Sequence, residues 1–108
     1  MAELQVAELS FQVIRVLRPL MPRIRRFDRS LADQLRRAVT SVALNIAEAD
    51  RSDPGNRRAR FFTASGSANE SLAALKAAAD WGYVAEHEAE AARSLLSRIC
   101  AMLWKLTH

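Results

Sequence analysis

The histidines and the cysteine are few enough to weigh one at a time. His87 lies in the acidic stretch "AEHEAE" and His108 in the last position, neither beside a nucleophile or an acid–base partner. "HEAEA" lacks the second histidine of a zinc-protease helix, so His87 reads as a helix-surface residue. Cys100 is the only cysteine, which rules out an internal disulfide and a thiolate zinc cage. With no cation obvious beside it, it reads as a buried or interface thiol. "GNRRARFFTASGSANES" has glycines but no Gly-Lys-Ser signature and no preceding strand, so a phosphate loop is rejected. No catalytic residue, metal or cofactor is expected, and an enzyme is the least favoured class.

Arginine is the remaining chemistry. The chain carries fourteen Arg against two Lys, and residues 1–60 hold twelve of those Arg against seven acids, while residues 61–108 come to minus one. Guanidinium groups make bidentate contacts to phosphate or carboxylate. The candidate nucleic-acid contacts are Arg15 and Arg18, then Arg23, Arg25, Arg26 and Arg29 in the connection "MPRIRRFDR", then Arg36 and Arg37. Readout would be of backbone and shape, because Phe27 is the only aromatic residue within the run. Two alternatives stand beside nucleic-acid binding. One is a solvated surface partly neutralised by Asp28, Asp33 and Asp50; the other is a scaffold whose arginines meet an acidic protein.

The elements that must position these residues are helical. Half the residues are hydrophobic and only six per cent aromatic, and no plausible strand run exists. Four helices are expected: about 3–20, stopped by Pro19 and Pro22; about 30–49, opened by Ser30 with Asp33; about 54–81, with Asp53 as N-cap and Gly82 at its end; and about 85–106. Their core stripes include Leu35, Val39, Val42 and Ile46, then Phe61, Ala64, Ala68, Leu72, Leu75 and Ala79, then Leu95, Ile99, Met102, Leu103 and Leu106. Short connections imply an antiparallel up-down four-helix bundle, all-α, as one domain over 1–108. No stretch is apolar enough to span a membrane, and Glu3 and Glu8 stand where a signal peptide would be basic, so a cytoplasmic location is expected.

Helix one has one apolar side too many. Val6, Leu9, Val13, Val16 or Leu17, and Leu20 form one seam; Leu4, Ala7, Phe11 and Ile14 form another on roughly the opposite side. Leu44 and Trp104 likewise fall behind the core stripes of their helices. A homo-oligomer is expected, with Leu4, Phe11, Ile14, Leu44 and Trp104 at the interface.

Polar residues also fall on helical spacing. Ser41, Asn45 and Glu48 line one strip of the second helix, facing a small or polar strip of the third that includes Arg60, Ser67 and Ser71. A buried amide or carboxylate persists only when hydrogen-bonded, so this pattern reads as structural glue that fixes which helices pair. Catalysis by Glu48 is the lesser alternative. Trp81 and Tyr83 flank Gly82 at the turn between the last two helices; they could stack on a base, but the expected role is a plug for the end of the bundle.

"QLRRAVTSVALNIAEADR" followed by "ARFFTASGSANESLAAL" resembles the bacterial four-helix-bundle family of intervening-sequence proteins, encoded within insertions of large-subunit ribosomal RNA genes. Relatives of that family include the accessory variability determinant of diversity-generating retroelements. The likeness rests on Gln34 to Ala38, Ser41, Asn45 to Glu48, and Gly66, Ser67 and Glu70, and covers about residues 34–84. Ala49 stands where the family usually has Gly, and the connection after helix one is basic where the family usually has an acid. The resemblance implies closed rings of bundles, typically homopentamers, and, for the retroelement members, binding to nucleic acid and to a reverse transcriptase.

Overall fold

The computed structural model describes residues 2–108, which form five helices and, among the described residues, no strand. They are α1 (Ala2–Leu17), α2 (Met21–Phe27), α3 (Arg29–Ala49), α4 (Pro54–Asp80) and α5 (Glu86–Thr107). A 27-residue helix such as α4 is about 40 Å long at 1.5 Å per residue, which matches the 42 Å long axis of the molecule. α3 packs on α4, α4 on α5, and α1 on α5 and α3, while α2 rests on α3. No helix among the described residues is long and apolar enough to cross a membrane.

The segment expected as a connection after helix one is itself a helix, α2. Pro19 does end α1, but Pro22 sits in the first turn of α2, where a missing N–H costs nothing and a fixed φ favours the helix. Leu20 and Ile24 then drop into the core, Ile24 completely. Full burial of one such side chain favours folding by about 1.5–3 kcal/mol, which is what holds this short helix down. The cap of α3 differs from expectation too. Asp28, not Ser30, is the N-cap, and its Oδ1 accepts the Leu31 amide at 3.0 Å. At the α4 start Asp53 plays the same part, accepting the Asn56 amide at 3.0 Å.

Helix stripes meet in one continuous core. Val6, Leu9, Val13 and Leu17 of α1 pack with Leu35, Val39, Val42 and Ile46 of α3, and with Leu95, Ile99 and Leu103 of α5. On α4 the buried stripe is mostly small: Ala64, Ala68, Ser71, Ala74 and Ala78, with Phe61 and Leu75. Ser71 is satisfied by donating to the Ser67 carbonyl at 2.8 Å, and buried Ser10 donates to Ala7 at 2.6 Å.

Contacts distant in sequence fix the two ends. At one end Arg57 pairs with Glu3 at 3.4 Å, and Arg58 donates to the Thr107 carbonyl at 2.9 Å. At the other, Arg23 of α2 grips Glu88 of α5, and Tyr83 donates to Asp28 at 3.3 Å.

Candidate nucleic-acid interface

The second of these ends carries most of the arginine run. The turn after α1, the face of α2 and the first turns of α3 bring Arg18, Arg25 and Arg36 to the wall of one shallow hollow, with Met21, Pro22, Ala32 and Asp33. None of the three pairs with a carboxylate among the described residues, although Asp33 shares the hollow. Arg18 and Arg36 also rim a mostly apolar cleft of about 250 Å³, floored by Ile14, Leu17, Leu35 and Val39. Arg26 and Arg29 flank Phe27, exposed and likewise without an acidic partner.

Three arginines are engaged locally. Arg15 pairs with Glu8 at 2.6 Å, out in solvent. The Arg37 Nε donates to the Asp33 carbonyl at 3.4 Å. Arg23, expected among the nucleic-acid contacts, is engaged across the fold: its guanidinium donates to both oxygens of Glu88 at 2.7 and 2.8 Å. That fork, with the Ala85 amide, holds the Glu88 carboxyl down to about 2 and raises Arg23. Two near neighbours in the run, Arg23 and Arg25, therefore differ in pairing, which spacing alone does not reveal.

The polar strip divides in a similar way. Ser41 and Ser67 hydroxyls meet at 2.8 Å between α3 and α4, and Asn45 donates back to the Ser41 carbonyl at 2.9 Å and hydroxyl at 3.1 Å. Glu48 does reach across to the α4 strip, pairing with Arg60 at 3.1 Å, but in solvent and not in a buried network. It lies in the last turn of α3, where water reaches the carboxylate and no desolvation cost has to be offset. Glu70 is also exposed and makes no side-chain hydrogen bond or ion pair among the described residues. His87 is exposed. Cys100 is half-buried with its sulfur 3.6 Å from Asn69 Oδ1, and burial raises its thiol, keeping it neutral. Among the described residues no group of His, Cys, Asp or Glu could hold a metal ion.

Of the residues expected at an oligomer interface, Leu4, Phe11, Leu44 and Trp104 are exposed. Ile14 is half-buried against its own core and lines the apolar cleft. Trp104 lies flat on His108, centroids 4.3 Å apart and planes 8° from parallel. The sequence reading missed Phe62, which is exposed beside this pair, edge-on to His108, with the Arg58 guanidinium over its ring at 5.1 Å. The signal was the Phe61–Phe62 doublet: a turn of about 100° per residue buries Phe61 and leaves Phe62 outside.

The turn between α4 and α5 corrects another expectation. Trp81 is no plug, being 72% exposed. Gly82 takes φ +82, which lets the Gly82 amide bond to Ala79 and the Tyr83 amide to Ala78, both at 2.9 Å. Val84, fully inside, closes the end of the core instead. Tyr83 turns toward α2 and stacks on Phe27, centroids 5.3 Å apart and planes 5° from parallel.

These features define an all-helical protein with a basic, ring-bearing end. Residues 2–105 match the 23S rRNA-intervening sequence protein family, and the chain belongs to it. Its fold is shared with the crystal structure of a protein with unknown function from the S23 ribosomal protein family of Bacteroides thetaiotaomicron. That protein is 20% identical, with a TM-score of 0.89 over 99% of this chain and 98% of the other. No curated protein matches the chain.

Proposed function

We propose that this protein is a non-enzymatic, homo-oligomeric nucleic-acid-binding protein. Its four long helices form an antiparallel up-down bundle with α2 capping one end, and copies close into a ring through the exposed apolar side chains of α1, α3 and α5. The observation that carries this reading is the convergence of Arg18, Arg25 and Arg36 on one hollow with no carboxylate paired to any of them. Arginines left unpaired are ready for phosphate oxygens, where they displace condensed counterions. A family named for intervening sequences of 23S rRNA is consistent with such a partner. Four large apolar side chains left in solvent, Leu4, Phe11, Leu44 and Trp104, support self-association, since burying them against a second copy removes their apolar surface from water. Ring symmetry would repeat the arginine hollow on each copy, so modest single-site attraction becomes avid binding.

The test is a salt titration of binding to a structured RNA, followed by anisotropy. The logarithm of affinity should fall linearly with the logarithm of salt, by about 0.7–0.9 for each phosphate neutralised. Absence of any complex at low ionic strength sinks the proposal.

A further inference from the structure

The arginine end carries a second kind of surface. Trp81, Tyr83 and Phe27 stand in a row: Trp81 is stacked on Tyr83 with centroids 6.4 Å apart and planes 13° from parallel, and Tyr83 is stacked on Phe27 at 5.3 Å and 5°. The middle ring is half-buried, whereas the outer two are 72% (Trp81) and 60% (Phe27) exposed. One ring comes from the end of α2 and two from the α4–α5 turn, so only the folded chain assembles the row.

Several bonds hold it in place before any ligand arrives. Tyr83 donates its hydroxyl to Asp28, whose other oxygen caps α3. The Gly82 turn fixes Trp81 relative to Tyr83, and the Arg23–Glu88 fork ties α2 to the start of α5. A pre-ordered platform spares the entropy of ordering it on binding. Arg25, Arg26 and Arg29 lie beside Phe27 in sequence and pair with no carboxylate among the described residues. Of the neighbouring acids, Asp28 is engaged by these bonds and Asp80 by Lys76 at 3.1 Å, while Asp33 shares the hollow of Arg25.

We infer that the Trp81–Tyr83–Phe27 row is a stacking platform for unpaired bases of a nucleic acid whose backbone lies on the adjacent arginines. This rests on the nucleic-acid reading above and deepens it, because it assigns the ligand a single-stranded or looped segment. Every base has a π-face, so stacked rings beside cations bind such segments without sequence preference. A duplex keeps its bases stacked on each other and can use only the arginines.

The experiment compares a short unstructured RNA strand with a blunt RNA duplex of the same length. In a Trp104→Phe background, used once its particle mass is shown to equal that of the unaltered protein, Trp81 is the only tryptophan, and its fluorescence should be quenched by the single strand and not by the duplex. Measured by anisotropy of labelled RNA, Trp81→Ala should weaken single-strand binding about tenfold and leave duplex binding within about twofold, with Trp81→Phe restoring most of the loss. An unchanged single-strand affinity in Trp81→Ala overturns the platform. So does an equal loss for both RNAs together with a smaller particle mass, which makes the row a contact between copies. If the unaltered protein binds neither RNA at low ionic strength, the proposed function fails with it; salt-sensitive duplex binding with no effect of Trp81 sinks the platform alone.

Discussion

Arg23 on α2 and Glu88 on α5 are joined by two parallel hydrogen bonds, Nη1 to Oε1 at 2.7 Å and Nη2 to Oε2 at 2.8 Å, and the same Oε1 accepts the Ala85 amide at 2.9 Å. One carboxylate thus caps α5 and fastens α2. Its pKa lies at about 2 in the folded chain against an ordinary 4.5. A lowered carboxyl pKa stabilises the fold fully above the unfolded value and loses that contribution as pH falls through the folded one. The denaturation midpoint should therefore decline between pH 4.5 and about 2 more steeply than in Glu88→Gln, which keeps an acceptor for Ala85 and loses the ion pair. Equal declines in the two proteins would remove this pair from the acid sensitivity of the fold.

Neighbouring arginines should separate into two phenotypes. Arg25→Gln removes a cation with no partner, so RNA affinity should fall, the salt slope should drop by about 0.7–0.9, and the melting temperature should hold. Arg23→Gln should lower the melting temperature, because it strands Glu88, and leave the salt slope intact. Circular dichroism melting beside anisotropy reads both, and a reversed pattern would show that the unpaired arginines are not the ones that meet phosphate.

Periodicity made most of the core legible. Leu35, Val39, Val42 and Ile46 recur at helical spacing and are all buried, and the α1 seam from Val6 through Val13 to Leu20 is buried too. Leu72, Ala79, Met102 and Leu106, expected in the core stripes, are only half-buried, at the edge of those stripes. The α2 helix was illegible for a physical reason: Pro22 signals a break wherever the chain is read linearly, and seven residues give too few apolar positions for a period to emerge. Trp81 and Tyr83 are legible as a pair around Gly82, but the third ring of the row is not. Phe27 meets Tyr83 only through tertiary packing, and nothing local to either residue announces the other. Likewise Arg23 looks like every arginine around it until Glu88 arrives from α5.

Ile24 tests whether α2 is an integral part of the fold. Its side chain is completely buried, so Ile24→Ala should destabilise the protein by about 2–5 kcal/mol through lost transfer energy and the cavity left behind. Chemical denaturation measures this. A cost under about 0.5 kcal/mol, the level of a surface substitution, would mean that α2 docks too loosely to position Phe27.

Two glycines should respond with opposite signs. Gly66 lies inside α4, exposed, and a Cβ added there meets nothing within 4 Å. Gly66→Ala should stabilise the helix by about 1 kcal/mol. Gly82 takes φ +82 at the turn that presents Trp81 and Tyr83, and although its Cβ would also find open space, Gly82→Ala should cost about 1–2 kcal/mol of backbone strain. Destabilisation by Gly66→Ala would indicate that a neighbouring copy covers that surface in the assembled particle.

Phe11 provides the sharpest test of assembly. It projects from α1 on the side away from the Val6–Val13 seam and is 43% exposed in the single chain, so a glutamate there stays hydrated in an isolated protomer and the fold should survive. Buried between copies, the same charge would be unpaired, a change that costs several kcal/mol and should dissolve the contact. Sedimentation equilibrium at micromolar concentration should give a multiple of 12.1 kDa for the unaltered protein and 12.1 kDa for Phe11→Glu, with unchanged helical circular dichroism. RNA affinity should fall in the same variant even though no arginine has been touched, because a lone protomer offers one arginine hollow where a ring offers several. A particle that keeps its mass in Phe11→Glu would move the interface away from this face of α1, and an unaltered protein that sediments at 12.1 kDa would leave Phe11 and Trp104 as ordinary exposed side chains.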